Sequence, residues 1–142
     1  MTAVRERIAA ILDQRLQSIP GIAEYERDPS ADPTNFPALS MTDNGDDPLE
    51  EESGITRYAM SLDIECYAEG YHGSEVSAEL NEIHAAVVQA LMQEPPIDGL
   101  AERFEEGPLK RYTAQLASKP RKGFKKAFTI IFTTRRGDPA SQ

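Results

Sequence analysis

The chain has 142 residues, 39% hydrophobic and 27% charged, with 15 Lys plus Arg against 24 Asp plus Glu and a formal net charge of -9. That length suits one domain with a core of its own, and the acidic balance favours solubility and disfavours unaided DNA binding. A single cysteine, Cys66, excludes an internal disulfide framework, and no apolar run approaches the ~20 residues that cross a bilayer.

Arg5 and Arg7 are not followed by an uninterrupted apolar stretch. The N-terminus is therefore not read as a signal peptide, and the chain is expected to start in a cytoplasm. Residues 3–17 read as a helix, because Val4, Ile8, Ile11, Leu12 and Leu16 recur at three- and four-residue spacing. Thr2 is the expected cap. Ile19-Pro20-Gly21 ends the helix, and a short strand is read from Ala23 to Arg27.

Residues 28–35 carry two prolines, two aspartates, a serine and an asparagine, and read as a loop. Phe36 to Met41 reads as a short strand that begins with its proline. Residues 42–54 hold six acids, Asp43, Asp46, Asp47, Glu50, Glu51 and Glu52, and only Leu49 is clearly apolar. Such a stretch is expected to be an exposed, mobile loop, too long for a minimal hairpin turn.

The first long strand is read from Ile55 to Tyr67. Tyr58, Met60, Leu62, Ile64 and Cys66 alternate with a mixed face that includes Asp63 and Glu65. A helix follows from Ser74 to Met92, striped by Val76, Leu80, Ile83, Val87 and Leu91 and stopped by Pro95-Pro96. Ile97 to Ala101 is read as one helical turn. A strand from about Leu109 to Ala117, with a bulge, comes next. Residues 118–123 read as a connection. The last strand carries Phe128, Ile130 and Phe132 on one face, expected to pack against Leu80, Ile83 and Val87. The order is α-β-β-β-α-β-β. It argues a single α+β domain over residues 1–142, with a mixed, mainly antiparallel sheet and two main helices packed on one face.

The chain shows no signature of a reaction. His72 sits in a Gly-flanked turn, His84 is read as a helix-surface residue, and neither spacing resembles a zinc motif. No serine has nucleophile-elbow context. Cys66, in an alternating apolar run, reads as a buried small hydrophobe. A solvated carboxylate loop supplies neither the burial nor the pairing that general acid chemistry needs. The order of acids in the loop does not meet the calcium pattern. A weak magnesium site at Asp46, Asp47 and Glu51 stays open, but no metal, cofactor or catalytic residue is assigned.

Candidate contact residues fall in three groups. The acidic loop offers Asp43, Asp46, Asp47, Glu50, Glu51 and Glu52. The polar strand face offers Asp63 and Glu65, read either as solvent-facing or as a contact surface. A basic loop, Lys119, Arg121, Lys122, Lys125 and Lys126, reverses the charge of the chain locally. It reads as a phosphate contact, as a partner for an acidic patch on a neighbouring copy, or as a solvated turn. Reversing Lys122, Lys125 and Lys126 together is expected to spare the fold.

The leading helix with Arg5, Ile8 and Leu12, the Phe36-Pro37-Ala38-Leu39 strand, the acidic insertion, the Tyr58–Tyr67 strand, the Ser74–Met92 helix, the turn near Leu100 and the strand ending at Arg135 and Arg136 together resemble the tail terminator family of long-tailed phages, the minor tail protein U type. The resemblance spans essentially the whole chain. It implies a non-enzymatic subunit that assembles as a hexameric ring on the finished tail tube, stops polymerisation and presents the head-joining surface. The implied partners are other copies, the tail tube protein and a head-completion protein. DNA passes through the lumen without sequence-specific binding, and no membrane is involved. The implied location is the bacterial host cytoplasm and then the virion tail. Other head–tail completion ring proteins share this size and order, and a small acidic protein-binding module is the reading from a different class.

Overall fold

The computed structural model describes residues 1–114 and 119–142. Helix α1 (Val4–Gln17) presents Val4, Ile8, Leu12 and Leu16 to the interior, as their spacing requires. Its N-terminus differs from the expectation. Ala3, not Thr2, stands at the cap and no side chain caps it. The Val4 N–H instead donates to the Pro139 carbonyl at 2.9 Å, which satisfies one of the orphan donors of the first turn.

Five strands follow the expected order around α2 (Gly73–Leu91): β1 (Glu24–Arg27), β2 (Ala38–Glu52), β3 (Ile55–Glu69), β4 (Arg103–Ala114) and β5 (Arg121–Arg135). They form one sheet in the spatial order β1-β2-β3-β5-β4. Only β1 and β2 pair in parallel; every other pair is antiparallel. The fold is thus the mixed, mainly antiparallel α+β arrangement expected. Central β3 and β5 send Met60, Leu62, Ile64, Cys66, Phe124, Phe128, Ile130 and Phe132 inward, where they join Leu80, Ile83 and Val87 of α2 and the stripe of α1 in one core. Both helices cover the same face.

Four expectations change. Residues 42–54 are not a loop, because β2 continues through them to Glu52 and pairs with β3 in register from Ala38↔Tyr67 to Glu52↔Ile55. A strand beside a long neighbour gets its order from backbone bonds to that neighbour, so it can be polar throughout. Bulges between Asp43 and Asp46 and between Pro48 and Glu50 absorb the unpaired residues. Ser53 and Gly54 make the turn, with Gly54 at φ 76°, where glycine costs least.

The basic stretch is not a loop either. β5 starts at Arg121, so Arg121, Lys122, Lys125 and Lys126 are strand residues and Lys119 alone precedes it. β4 starts earlier than expected, at Arg103, and passes Gly107-Pro108 as a bulge between Glu106 and Leu109. Positions 115–117 of the expected strand and position 118 of the expected connection lie outside the described residues. Finally, Pro96–Gly99 makes a tight turn in place of the turn read at Ile97 to Ala101. Fully buried Ile97 holds φ 48° there, a strained setting for a β-branched residue.

Candidate functional site

The strand register separates the charged side chains by face. Odd positions of β5 and β3 point away from the helices, and even positions point toward them. This parity regroups the candidate contact residues.

Asp43 and Asp46 lie on the helix side and grip Arg5 of α1. Its guanidinium donates to Asp43 at 2.8 and 3.0 Å and to Asp46 at 2.8 Å. Burial pushes the Asp43 carboxyl up, but bonds from Arg5 and the Gly45 N–H outweigh it and hold it below its ordinary value. These two acids tie α1 to β2. Asp47 pairs with Ala59 on the uncovered face. Glu50 and Glu52 share Arg57, at 3.6 and 3.1 Å, with Glu102 at 2.8 Å. Glu51 pairs instead with Arg136, at 3.6 Å. Asp46 and Glu51 therefore point one way and Asp47 the other. Among the described residues no group of three or more His, Cys, Asp and Glu is placed to hold a metal.

Asp63 and Glu65 meet the basic strand inside the same sheet. Glu65 is opposite Lys125 in register, and the Lys125 amine lies 3.6 Å from Asp63 and 3.9 Å from Glu65. Asp63 also accepts a bond from the Asn44 amide at 2.7 Å. The basic residues do not form one surface patch. Lys126 is 6% exposed, donates to the Gly107 carbonyl at 2.9 Å and pairs with Glu106 at 3.0 Å. Its even position sends it inward beside Phe124 and Phe128, so it braces the β4 bulge. Arg121 stacks over the Phe36 ring at 4.4 Å and pairs with Glu69 at 3.0 Å. Lys119 sits over the Tyr71 ring at 5.1 Å. Lys122 is half-buried opposite Thr113.

Cys66 and His84 carry titratable groups apart from these ion pairs. Cys66 is fully buried, and burial pushes its thiol up to about 12, with Glu79 adding to the rise. It is inert packing, as expected. His84 is not a surface residue. It is half-buried, edge-on to Phe124 at 5.6 Å, and its Nε2 is buried without a hydrogen-bond partner. Burial drives its pKa down, Lys126 and Arg111 add to this, and Glu106 opposes it.

One feature was missed in the sequence. A cleft of about 470 Å³ opens on the uncovered face at the β1 side. Ala38 and Ser40 make its floor, because small residues on β2 leave a trough between larger neighbours. Glu24, Glu26, Asp32, Glu65, Phe36 and Tyr67 supply its charge and its aromatic surface, and residues 29–36 fold over it. Tyr67 is held flat across Gly123, where an added Cβ would stand 2.6 Å from the ring. Carboxylates with aromatic faces suit a cationic group carrying an apolar stem. The only signal in the sequence was the alternation of small residues Ala38 and Ser40 after a Pro-rich loop.

Among the described residues no helix is long and apolar enough to cross a membrane. In comparisons with known proteins, no family model matches the chain and none of the curated proteins matches it.

Proposed function

We propose that this chain is a non-catalytic structural protein of a phage tail or tail-like particle, a tail terminator. In this reading it caps the finished tail tube as a hexameric ring, ends polymerisation and offers the surface to which the head joins. Its partners are other copies of itself, the tail tube protein and a head-completion protein. It works in the host cytoplasm during assembly and then in the virion tail.

The observation that carries the reading is the two-sidedness of the subunit. Both helices cover one face of the sheet and leave the other bare, and the two ends of that bare face differ in charge. A cyclic ring needs two unlike patches on each subunit. The α-β-β-β-α-β-β order supports the resemblance to the terminator family, and a fold-level likeness raises the prior only. The net charge of -9 supports weak assembly without the tube and a lumen that does not hold DNA.

Native mass measurement with and without isolated tail tubes tests this. Monomer alone and a six-subunit ring on tubes is the expected result. A stable dimer indifferent to tubes overturns it. Rings that fail to control tube length would favour another head–tail completion role. The acidic, aromatic cleft favours a second reading, a small module that binds a basic protein. Tight binding of such a protein by a chain that never assembles would mark that outcome.

A further inference from the structure

The bare face carries aligned rows of side chains. Strand register places Glu26, Ser40, Glu65, Lys125 and Lys110 in one row and Glu24, Ala38, Tyr67, Gly123 and Tyr112 in the next. Each row starts at a carboxylate on β1. One ends at a lysine on β4 and the other at a tyrosine. The acidic end holds the cleft, where Glu24, Glu26, Asp32 and Glu65 outnumber the cations beside them, Arg121, already paired with Glu69, and Lys125, 3.9 Å from Glu65.

The opposite end has surplus positive charge and exposed apolar surface. Tyr112, opposite Gly123 on this face, is 42% exposed. Lys110 stands directly opposite Lys125, a like-charge neighbour whose own acidic partners, Asp63 at 3.6 Å and Glu65 at 3.9 Å, lie on β3, on the far side from Lys110. Among the described residues no strand pairs with the outer edge of β1 or of β4. Following the pairings across the sheet, β1 and β4 run in opposite directions.

We propose that the β4 edge of one copy docks against the β1 edge of a second copy, with Lys110 and Tyr112 entering the carboxylate cleft. This rests on the ring reading and names the contact between neighbours. Lys110 meets Glu26 and Asp32, which relieves its repulsion from Lys125. The Tyr112 ring lies against the apolar wall of the cleft. The antiparallel sense of the two edges allows backbone bonds to continue the sheet from copy to copy. Because both edges belong to the same rows, repeated side-by-side docking keeps the copies at one level. A heterologous contact of that kind closes into a ring when the rotation between neighbours divides a full turn.

The test is a charge swap. Lys110→Glu and Glu26→Lys alone should each weaken ring formation on tail tubes by at least about tenfold, and the double variant should restore it. Both positions are exposed, and circular dichroism checks that each variant is folded. A second arm uses Lys110→Cys with Glu26→Cys. Fully buried Cys66 stays silent, so an oxidised ring should give a ladder of disulfide-linked copies. Wild-type rings with single variants that assemble equally well, or rings without cross-links, overturn the docking and leave the ring reading standing. A wild-type chain that forms no ring with or without tubes overturns both.

Discussion

Replacing Lys126 by Glu is expected to cost the fold about 3–5 kcal/mol, the range for a buried charge left without a partner. Lys125→Glu, one position away, is expected to cost under about 1 kcal/mol, as for an exposed pair. The difference comes from parity. The Lys126 amine is buried, donates to the Gly107 carbonyl at 2.9 Å and lies 3.0 Å from Glu106. A charged hydrogen bond of that kind contributes about 1.5–3 kcal/mol. The new carboxylate would leave the bulge carbonyl unpaired and would sit buried with no cation beside it, while half-exposed Glu106 turns to solvent. Lys125 is 38% exposed and its acidic partners lie at 3.6 and 3.9 Å, where water competes. The assay is urea unfolding followed by circular dichroism. For 142 residues, 3–5 kcal/mol corresponds to a fall in Tm of about 10–17 °C in a matching thermal scan. Equal losses for the two variants, or a loss below about 0.5 kcal/mol at Lys126, would refute the argument. The expectation that reversing Lys122, Lys125 and Lys126 together leaves the fold intact conflicts with the burial of Lys126.

Two other outcomes follow from the core. Ile130→Ala, at a fully buried site between Met60 and Phe104 in register, should cost about 2–5 kcal/mol; a chemical denaturation curve that moves by less than about 0.5 kcal/mol would place Ile130 outside the core. His84 should make the protein sensitive to mild acid. Its folded-state pKa is depressed below the ordinary 6.5, so the unfolded chain binds the proton first and stability is lost as pH falls below 6.5. His84→Leu should flatten that slope, read from denaturant midpoints between about pH 5 and 8, and an unchanged slope would exclude His84 as its source.

Strict periodicity made β3, β5 and α2 legible, since each buries one face or stripe and repeats it for at least four turns or alternations. The outer half of β2 was illegible for the opposite reason. Asp46 to Glu52 hold almost no apolar residues, and their strand form is imposed by β3 across the hairpin. Lys126 could have been placed correctly. Phe124 and Phe128 bracket it at the same parity, so the alternation of Phe128, Ile130 and Phe132 carried back to Phe124 sends it inward. The split of the acids between a clamp on Arg5 and the bare face needed the bulges, which local sequence does not announce. The cleft depends on residues 29–36 folding over strands that come after them in the chain.

The pairing order of the sheet sets when this chain can fold during its synthesis. β3 is made directly after β2, so that hairpin forms early. Its other neighbour, β5, is made only after α2 and β4. Until then Met60, Leu62 and Ile64 lack the strand beside them, and β3 keeps an open edge. The Val4 N–H likewise waits for the Pro139 carbonyl. Pairings this distant in sequence are slow to form and leave apolar surface open to other chains meanwhile. A chain halted before Arg121 would keep the β3 edge unpaired, with its apolar residues open to other chains.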